Sequence, residues 1–486
     1  MNHHPPAAAA RPDYFYLDMP GAAARSLAVG WLLLALGALV GGGLMTIVIV
    51  LSRTPFIQDY VPWVGIFHTA LVVHVDLTAV VWFLAVAGML WCINGSGQWR
   101  GAGFGALGTC AAGTVLITLS PFAGSGDALM TNYVPVIDDA VFLTGLGLFA
   151  AGFAALVVHS LVTSRPIGRT ISGQGALRFG LFSALLAALV ALGAFAASYL
   201  GLGGVIEGEA DFEVLFWGGG HALQFVHVQL MLVSWLWLAT VSGFAAPLSP
   251  RVVLVLFAIG LVPVVLTPAA YLAFAVDTPD HLHTMTWLMR AGGGLAAVPI
   301  SLVVLYSMAR RPRHAAWWGP AHSALLVSMM LFGAGGLVGF LISGSDVTVP
   351  AHYHGSIVAV TVAYMGVTVH VLPLLGFARP AGRWVAAQPW LYGGGQLLHV
   401  AGLAWSGGYG VERKIAGEAQ MLDSVERVLG MAMMGIGGLV SVIGGIVFLV
   451  IVLRAISPLR RLGPALTRVR ASCARWPRMK AMPGPE

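Results

Sequence analysis

VPAHYHGSIVAVTVAYMGVTVHVLP, residues 349–373, is the stretch that decides the fold of this chain. It is apolar, long enough to span a bilayer as a helix, and carries His352 and His354 near its start. Histidine is costly in hydrocarbon, so two in one membrane helix indicate a functional site. Positions i and i+2 of a helix point about 200° apart. The pair is therefore suited to two cofactors, one on each side of the helix. The competing interpretation is two interfacial histidines at a helix end.

The composition places the whole chain among membrane proteins. Hydrophobic residues make up 58% of the 486 residues and charged residues 9%, which is more apolar surface than a soluble core can bury. We therefore predict an all-α polytopic membrane protein surrounded by lipid. The net charge of +6 does not indicate nucleic-acid binding, because basic residues gather after the last apolar run, where membrane proteins carry them. The three cysteines form no CxxC or CxxCH pattern, which argues against a disulfide framework, a c-type haem or a dinuclear copper site.

About twelve apolar runs have the length of a membrane span. They lie near 26–51, 61–93, 101–122, 134–163, 175–203, 213–244, 251–276, 283–309, 318–343, 350–376, 385–407 and 430–455. The sequence thus predicts an N-terminal cytoplasmic segment 1–25, a twelve-helix membrane domain 26–455 and a basic cytoplasmic tail 456–486. The first 25 residues contain no apolar core of a cleaved signal peptide.

The distribution of charge between the spans predicts the orientation. The basic residues of the loops predicted to be cytoplasmic are Arg165, Arg169, Arg178, Arg310, Arg311, Arg313, Arg379 and Arg383. The acidic residues before span six, predicted to lie outside, are Glu207, Glu209, Asp211 and Glu213. Arg413 and Lys414 also fall outside, against the rule. They either pair locally with Glu412 or Glu418, or form a cationic clamp for anionic cofactor groups such as haem propionates.

Histidines of four spans converge on one depth in this topology. His74, His221 and His281, together with His352 and His354, all lie near the outer ends of their spans. Histidines scattered by chance would occupy both leaflets. Their convergence favours a buried metal or haem site over histidines that merely satisfy the core.

Four motifs resemble the catalytic subunit of the haem–copper oxidase superfamily. AHYHGSIVAVTVAYMG with VHVLP resembles its tenth helix, and LFWGGGHALQF is similar to its sixth-helix motif. TPDHLHT stands where the family usually has a pair of histidines, and HVDLTAVVW resembles its second-helix motif. The resemblance spans the chain and implies a twelve-helix bundle with two haems, one low-spin and one high-spin, and one non-haem metal.

The resemblance also implies a role for each histidine. His352 would be the axial ligand of the high-spin haem, and His74 and His354 would hold the low-spin haem. His221 and His281 would bind the non-haem metal. His68 competes with His74, which is favoured because it lies deeper in the span.

Three departures from the family pattern bear on the reaction. The position four residues after His221 holds Phe225, where oxygen reductases with a sixth-helix tyrosine and the usual nitric oxide reductases have tyrosine and glutamate respectively. Tyr271 is a candidate substitute. Asp280 replaces the first histidine of the pair, and a carboxylate with two imidazoles favours Fe over Cu; its alternative role is a helix cap. The eighth-span lysine of proton-pumping oxidases has no counterpart near Val303.

These features together predict a respiratory oxidoreductase that reduces nitric oxide to nitrous oxide. The alternative is a terminal oxygen reductase, a cytochrome c or quinol oxidase subunit I. A transporter or haem carrier is the third hypothesis, but it would place ionisable residues near the midplane. The expected partners are a gas, NO or O2, and an electron donor: a cupredoxin-like or cytochrome c subunit, or a soluble redox protein. The expected location is a bacterial or archaeal cytoplasmic membrane, with both termini cytoplasmic and the site near the outer face.

Overall fold

The described part of the chain contains twelve long helical segments. The computed structural model describes residues 14–60, 64–123, 126–168, 171–243, 248–310 and 319–457. The segments are α1 Ala22–Arg53, α2 Phe67–Ile93, α3 Arg100–Ala123, α4 Ala140–Thr163, α5 Gly173–Gly201, α6 Gly208–Val241, α7 Pro250–Ala273, α8 Pro279–Ala309, α9 Pro320–Gly339, α10 Thr348–Val371, α11 Arg383–Gly408 and α12 Val425–Ile456. Eleven are long and apolar enough to cross a membrane, and α11 is the less apolar twelfth. The predicted fold class, an all-α polytopic membrane bundle, is confirmed.

Several predicted boundaries shift, because local signals of the chain set the helix ends. The span placed at 134–163 begins only at Ala140, since a short antiparallel hairpin of β1 Ala128–Leu129 and β2 Val136–Ile137 precedes it. The span placed at 213–244 begins earlier, at Gly208, with acidic residues in its first turn. Carboxylates are favourable there because they complement the positive end of the helix dipole.

Span eight likewise begins earlier than predicted. The Thr278 side chain accepts a hydrogen bond from the His281 backbone amide, and Pro279 occupies the first turn, a combination typical of a helix start. Asp280, His281 and His283 therefore belong to the first two turns of α8 and not to the loop before it.

Three of the four helices that carry the predicted site histidines form the interior of the bundle, and the fourth, α8, lies at its periphery. α6, α2 and α10 bury most of their apolar length inside the protein, whereas α1 and α8 turn most of theirs outward. Because each spanning helix reverses the direction of the chain, the even-numbered helices all begin at one face of the bundle. The four histidine-bearing helices α2, α6, α8 and α10 therefore start from the same side.

Some predictions fall outside the described residues. These are the basic loop residues Arg169, Arg311 and Arg313, positions 1–13 of the predicted N-terminal segment, and positions 458–486 of the predicted basic tail.

Candidate functional site

A cavity of about 550 Å³ opens between α1, α2, α10, α11 and α12, below the turn of the β1–β2 hairpin. Cavities that hold small molecules and cofactors are about 300–1,000 Å³. Its wall includes imidazoles from four helices and cations from the C-terminal end of α1 and the α11–α12 loop. These residues are His74, His227, His354, His399, Arg53, Arg413 and Lys414. We call this space the haem cavity, after the cofactor that the sequence predicts.

His74 is held so that one ring nitrogen remains available. Its Nδ1 lies 3.1 Å from the Gly42 carbonyl and 3.0 Å from Thr46 Oγ1, both on α1. A ring that donates through Nδ1 has its lone pair on Nε2, the arrangement usual for a metal-ligating histidine. A π-helical turn, Asp76–Val81, follows at once, and Thr78 Oγ1 donates to the His74 carbonyl over 2.7 Å. Such turns are frequent at functional sites.

His354 and His352 point to opposite sides of α10, as their spacing predicts. His354 lines the haem cavity and its Nδ1 lies 2.8 Å from the Pro350 carbonyl, which leaves Nε2 available. The His352 Nδ1 lies 2.8 Å from the Gly335 carbonyl of α9. The backbones of α9 and α10 are in direct contact here. A side chain at Gly335 would collide with the backbone of Gly355 and Ser356, so only glycine permits this approach. This contact sets the position of the His352 ring.

His221 of α6 and His281 of α8 lie in the region where α6 meets α7 and α8. The His221 Nδ1 is 2.7 Å from the Trp217 carbonyl, so its Nε2 is available. The Trp217 indole donates to the Leu282 carbonyl over 3.0 Å, which joins α6 to the start of α8. His281 is buried, 1% exposed, and its Nδ1 has no hydrogen-bond partner among the described residues. Both rings thus keep a nitrogen suited to a metal.

Tyr271 of α7 packs against His281. Its ring lies edge-on to His281 with centroids 4.5 Å apart, and its hydroxyl is 2.9 Å from Ser198 Oγ. The hydroxyl also abuts Gly218 of α6, where a side chain would collide with it. Phe225 is buried, and its ring tip lies beside Gly292 of α8. We call His221, His281 and Tyr271 the metal side.

Asp280 is placed differently from its neighbour His281. It is exposed in the first turn of α8, whereas His281 is buried. Within the described ranges, no three His, Cys, Asp or Glu side chains form a group that could hold a metal ion. The structure therefore does not bring Asp280 together with His221 and His281, and its predicted liganding role gains no support. The helix-capping alternative fails too, because the cap is Thr278.

Arg413 and Lys414 line the haem cavity and are not paired with Glu412 or Glu418. Arg413 donates to Asn132 Oδ1 over 2.9 Å and to Ser345 Oγ over 3.2 Å, and the Lys414 ammonium donates to the Met130 carbonyl. Burial, with Arg413 beside it, lowers the pKa of Lys414. Two cations with neutral partners at a cavity mouth favour an anionic group in the cavity.

The hairpin turn connects the haem cavity to the metal side. The Glu213 carboxylate of α6 accepts from the Asn132 backbone amide over 2.8 Å and from its side-chain amide. The next residue, Tyr133, lies with its ring 4.7 Å from that of His221, and its removal from solvent raises its pKa well above the usual value. One turn of six residues thus borders both candidate sites.

The cavity also contains residues that sequence reasoning missed. His399 of α11 lies with its ring 4.6 Å from that of His354, and its Nδ1 is 2.8 Å from the Met434 carbonyl. His227 lies edge-on to Phe83 at 4.7 Å, with its Nδ1 unpartnered among the described residues. His399 is the single histidine of its apolar run and His227 follows His221 in the same run, so only their position on the cavity wall distinguishes them. His68, the competitor of His74, is exposed and its Nε2 lies 2.9 Å from the Lys414 carbonyl.

Comparisons with known proteins give two relatives and a fold. No protein-family model matches the chain. The chain is 27% identical over 498 residues to an uncharacterised protein of Rickettsia prowazekii, covering 88% of this chain and 95% of that protein. It is 30% identical over 364 residues to an uncharacterised protein of Aquifex aeolicus, covering 73% of this chain and 86% of that protein. A haem–copper terminal oxidase dimer solved by cryo-electron microscopy has the same fold, with a TM-score of 0.66, 15% identity, and coverage of 90% of this chain and 84% of that one.

Proposed function

Since this chain belongs to the same family as the uncharacterised Aquifex aeolicus protein and has the fold of a haem–copper terminal oxidase, we propose that it is a membrane respiratory oxidoreductase with two haems and a non-haem metal. The observation that carries the proposal is the haem cavity. It brings two imidazoles from different helices, each anchored through Nδ1, to one space below a cluster of cations.

The residues of the cavity fit a low-spin haem. His74 and His354 would hold its iron through Nε2, and Arg413 and Lys414 would bind its propionates at the mouth. An apolar ring with an anionic edge matches a cavity that is apolar in depth and cationic at its outer end. When bound, the haem supplies one-electron transfer. The protein anchors and orients the imidazoles and encloses the group away from water.

The metal side supplies two candidate ligands for a non-haem metal. His221 and His281 each present a ring nitrogen without a competing hydrogen bond. His352, on the other face of α10, would hold a second, high-spin haem. Together the haem and the metal would supply the chemistry that reduces a gas, and these residues would hold them in place.

For the reaction itself we propose the reduction of two molecules of nitric oxide, by two electrons and two protons, to nitrous oxide and water. Phe225 supports this choice. It is buried one turn after His221 on the same face of α6, so that face offers no phenol as a source of an electron and a proton. Reduction of nitric oxide breaks no O–O bond and therefore does not require a phenol.

Oxygen reduction is the second candidate, and Tyr271 favours it. Its ring contacts His281 and its hydroxyl reaches α6, so a phenol lies beside the candidate metal ligands from another helix. The exposed position of Asp280 also weakens the argument for Fe over Cu, which rested on a carboxylate ligand.

One set of measurements tests the proposal and separates its branches. We expect purified protein to contain two haems by pyridine haemochrome, and non-haem Fe rather than Cu by metal analysis. Nitric oxide turnover should exceed oxygen turnover and should survive Tyr271→Phe. Tyr306→Phe, at an exposed position of α8, is the control. Copper in the site, together with oxygen turnover lost in Tyr271→Phe, would establish the oxidase instead. Absence of haem would leave the transporter hypothesis.

The proposal extends to orientation and partners. We place the protein in a bacterial or archaeal cytoplasmic membrane, with both termini cytoplasmic and the site near the outer face. Glu209 and Asp211, in the first turn of α6, lie at the same end of the bundle as the histidines and support proton uptake from outside. The electron donor is a cytochrome c or cupredoxin-like partner.

A further inference from the structure

Two loops beside the mouth of the haem cavity expose large apolar side chains. The first loop is residues 54–60, after the end of α1, and the second is residues 409–424, between α11 and α12. Phe56 is 72% exposed, Tyr60 86% and Met421 67%. Apolar side chains on the flanks of membrane helices contact lipid, but these three stand beyond the helix ends. Exposed apolar residues gathered in this way mark an interaction surface.

A hydrogen bond between two glutamines joins the loops. The Gln420 side-chain amide donates to Gln58 Oε1 over 2.7 Å. Gln420 is 2% exposed, so the bond lies beneath the surface. Asp59 and Met421 directly follow the two bonded residues in the sequence, and both are exposed. The two loops therefore form one face that is held together from below.

Two of the exposed apolar residues also have an unusual backbone conformation. The φ angle of Phe56 is 64° and that of Met421 is 46°. Among the four non-glycine residues with positive φ in the described ranges, a third is Lys414, which lies in the same pair of loops. Bulky residues avoid the left-handed region, and residues held there cluster at active sites and ligand clamps. The fold thus presents Phe56 and Met421 to the outside in spite of a cost to the backbone.

The exposed charges of this face are negative. Asp59 and Glu418 are exposed carboxylates in the two loops, and neither joins an ion pair among the described residues. The basic residues of the same loops, Arg413 and Lys414, line the cavity and so lie behind the face. Apolar residues with carboxylates around them repel anionic lipid headgroups and complement a protein surface that is apolar at its centre and basic at its rim. We call the following residues the docking face: Phe56, Tyr60, Met421, Asp59 and Glu418.

We propose that the docking face binds the electron donor, a soluble one-electron redox protein with a basic contact surface. This inference rests on the proposed function, because it requires a haem in the cavity. A donor bound at the mouth lies directly above the cavity, with no other subunit between them. One electron passes from the reduced donor to the ferric low-spin haem, so the donor is oxidised and the haem is reduced, and no proton or covalent bond is exchanged. Attraction between opposite charges raises the rate of such an encounter and makes it depend on salt.

The test measures how fast a reduced basic cytochrome c reduces the low-spin haem of the full-length, haem-loaded protein. Stopped-flow absorbance gives the second-order rate constant. The double variant Asp59→Asn, Glu418→Gln should lower this constant about tenfold at low salt and much less at high salt, where screening removes the attraction. With a reduced acidic cytochrome c the order should reverse, because the double variant repels that protein less than the wild type does.

Phe56→Asn tests the apolar part of the face. Asparagine tolerates the left-handed backbone, so the substitution removes the aromatic ring and keeps the shape of the loop. We expect the complex with the basic cytochrome c to weaken about tenfold at both low and high salt, since aromatic residues carry much of the binding energy of interfaces. The dependence of the reduction rate on cytochrome concentration measures this affinity.

The matched control is the double variant Glu207→Gln, Asp277→Asn. Both are exposed carboxylates in the loops before α6 and α8, so this variant removes the same charge from the same end of the bundle, away from the docking face. It should keep the wild-type rate constant within about twofold, because charges beyond a Debye length are screened. Equal losses in the two double variants would show that net charge alone attracts the donor, and would overturn the inference.

A small reductant and the haem content separate the remaining outcomes. Tetramethyl-p-phenylenediamine needs no docking surface, so its reduction of the haem should be unchanged in every variant, which shows that the variants are folded and loaded. Unchanged rate constants with the basic cytochrome c in Phe56→Asn and in the docking-face double variant would overturn the inference and leave the proposed function standing. If Phe56→Asn only weakened association with lipid vesicles, the face would be a lipid anchor and the inference would be wrong. Wild-type protein without haem would overturn the proposed function and this inference together.

Discussion

The haem cavity and the metal side differ in how much of a cofactor site the protein alone displays. The cavity has volume, anchored imidazoles and three cationic side chains in its wall. The metal side has His221 and His281 with available nitrogens, but they are packed among Trp217, Tyr133 and Tyr271. Volume and charge together favour an occupant, whereas an available nitrogen only permits one. The evidence for a bound group is accordingly stronger on the cavity side.

The largest expected effect tests the cavity side directly. His74→Ala should abolish the low-spin haem signal and leave the high-spin haem and the non-haem metal in place, because His74 is the histidine of α2 that lines the haem cavity. Optical and electron paramagnetic resonance spectra of the purified variant measure this.

His68→Ala is the matched control for that prediction, since His68 is exposed on the same helix and bonded to the Lys414 carbonyl. Loss of the low-spin signal in His68→Ala, with a normal spectrum in His74→Ala, would reverse the assignment and with it the comparison between the two sides.

An intermediate effect is expected at the pair His354 and His399. Both rings are anchored through Nδ1, line the cavity and lie 4.6 Å apart, so His399 is placed to replace a missing neighbour. His399→Ala should keep the low-spin haem, and His354→Ala should lose most of it. A residual low-spin fraction in His354→Ala that disappears in the double variant would identify His399 as the replacement ligand. A normal spectrum in His354→Ala and complete loss in His399→Ala would make His399 the native ligand.

The smallest effect is expected on the metal side, at Asp280. Because Asp280 is exposed and Thr278 caps the helix, Asp280→Asn should change stability by less than about 0.5 kcal/mol and leave the non-haem metal bound. His281→Ala, one residue along and buried, should deplete the metal. Metal analysis and thermal unfolding in detergent compare the two. Metal loss in Asp280→Asn would show that the carboxylate reaches the site in the loaded protein, and would restore the argument for Fe.

The helices were predictable because membrane spans follow from local composition. Uninterrupted apolar runs show their length and number directly, since a bilayer demands about 20 apolar residues per helix. Their ends were less predictable. The start of α8 depends on the Thr278 cap, and the start of α4 on a hairpin whose two strands contain only two residues each.

The site was predictable where spacing and helix geometry suffice. The separation of His352 and His354 on opposite sides of α10 follows from the helical repeat alone. The position of Asp280 did not follow, because adjacent residues in a first helical turn point about 100° apart and only the packing of α8 decides which of them is buried.

By itself, the sequence determined that this is an all-α polytopic membrane protein, and the resemblance of its motifs to a known family pointed to His74 and His354. The first conclusion depends on hydrophobicity and the length of the apolar runs, which are local properties of the chain, and the second depends on that resemblance. Only the tertiary structure decided that Arg53, His399 and the hairpin turn belong to the same cavity. Residues from α1, α11 and a loop are far apart in sequence, and their proximity does not exist until the helices pack.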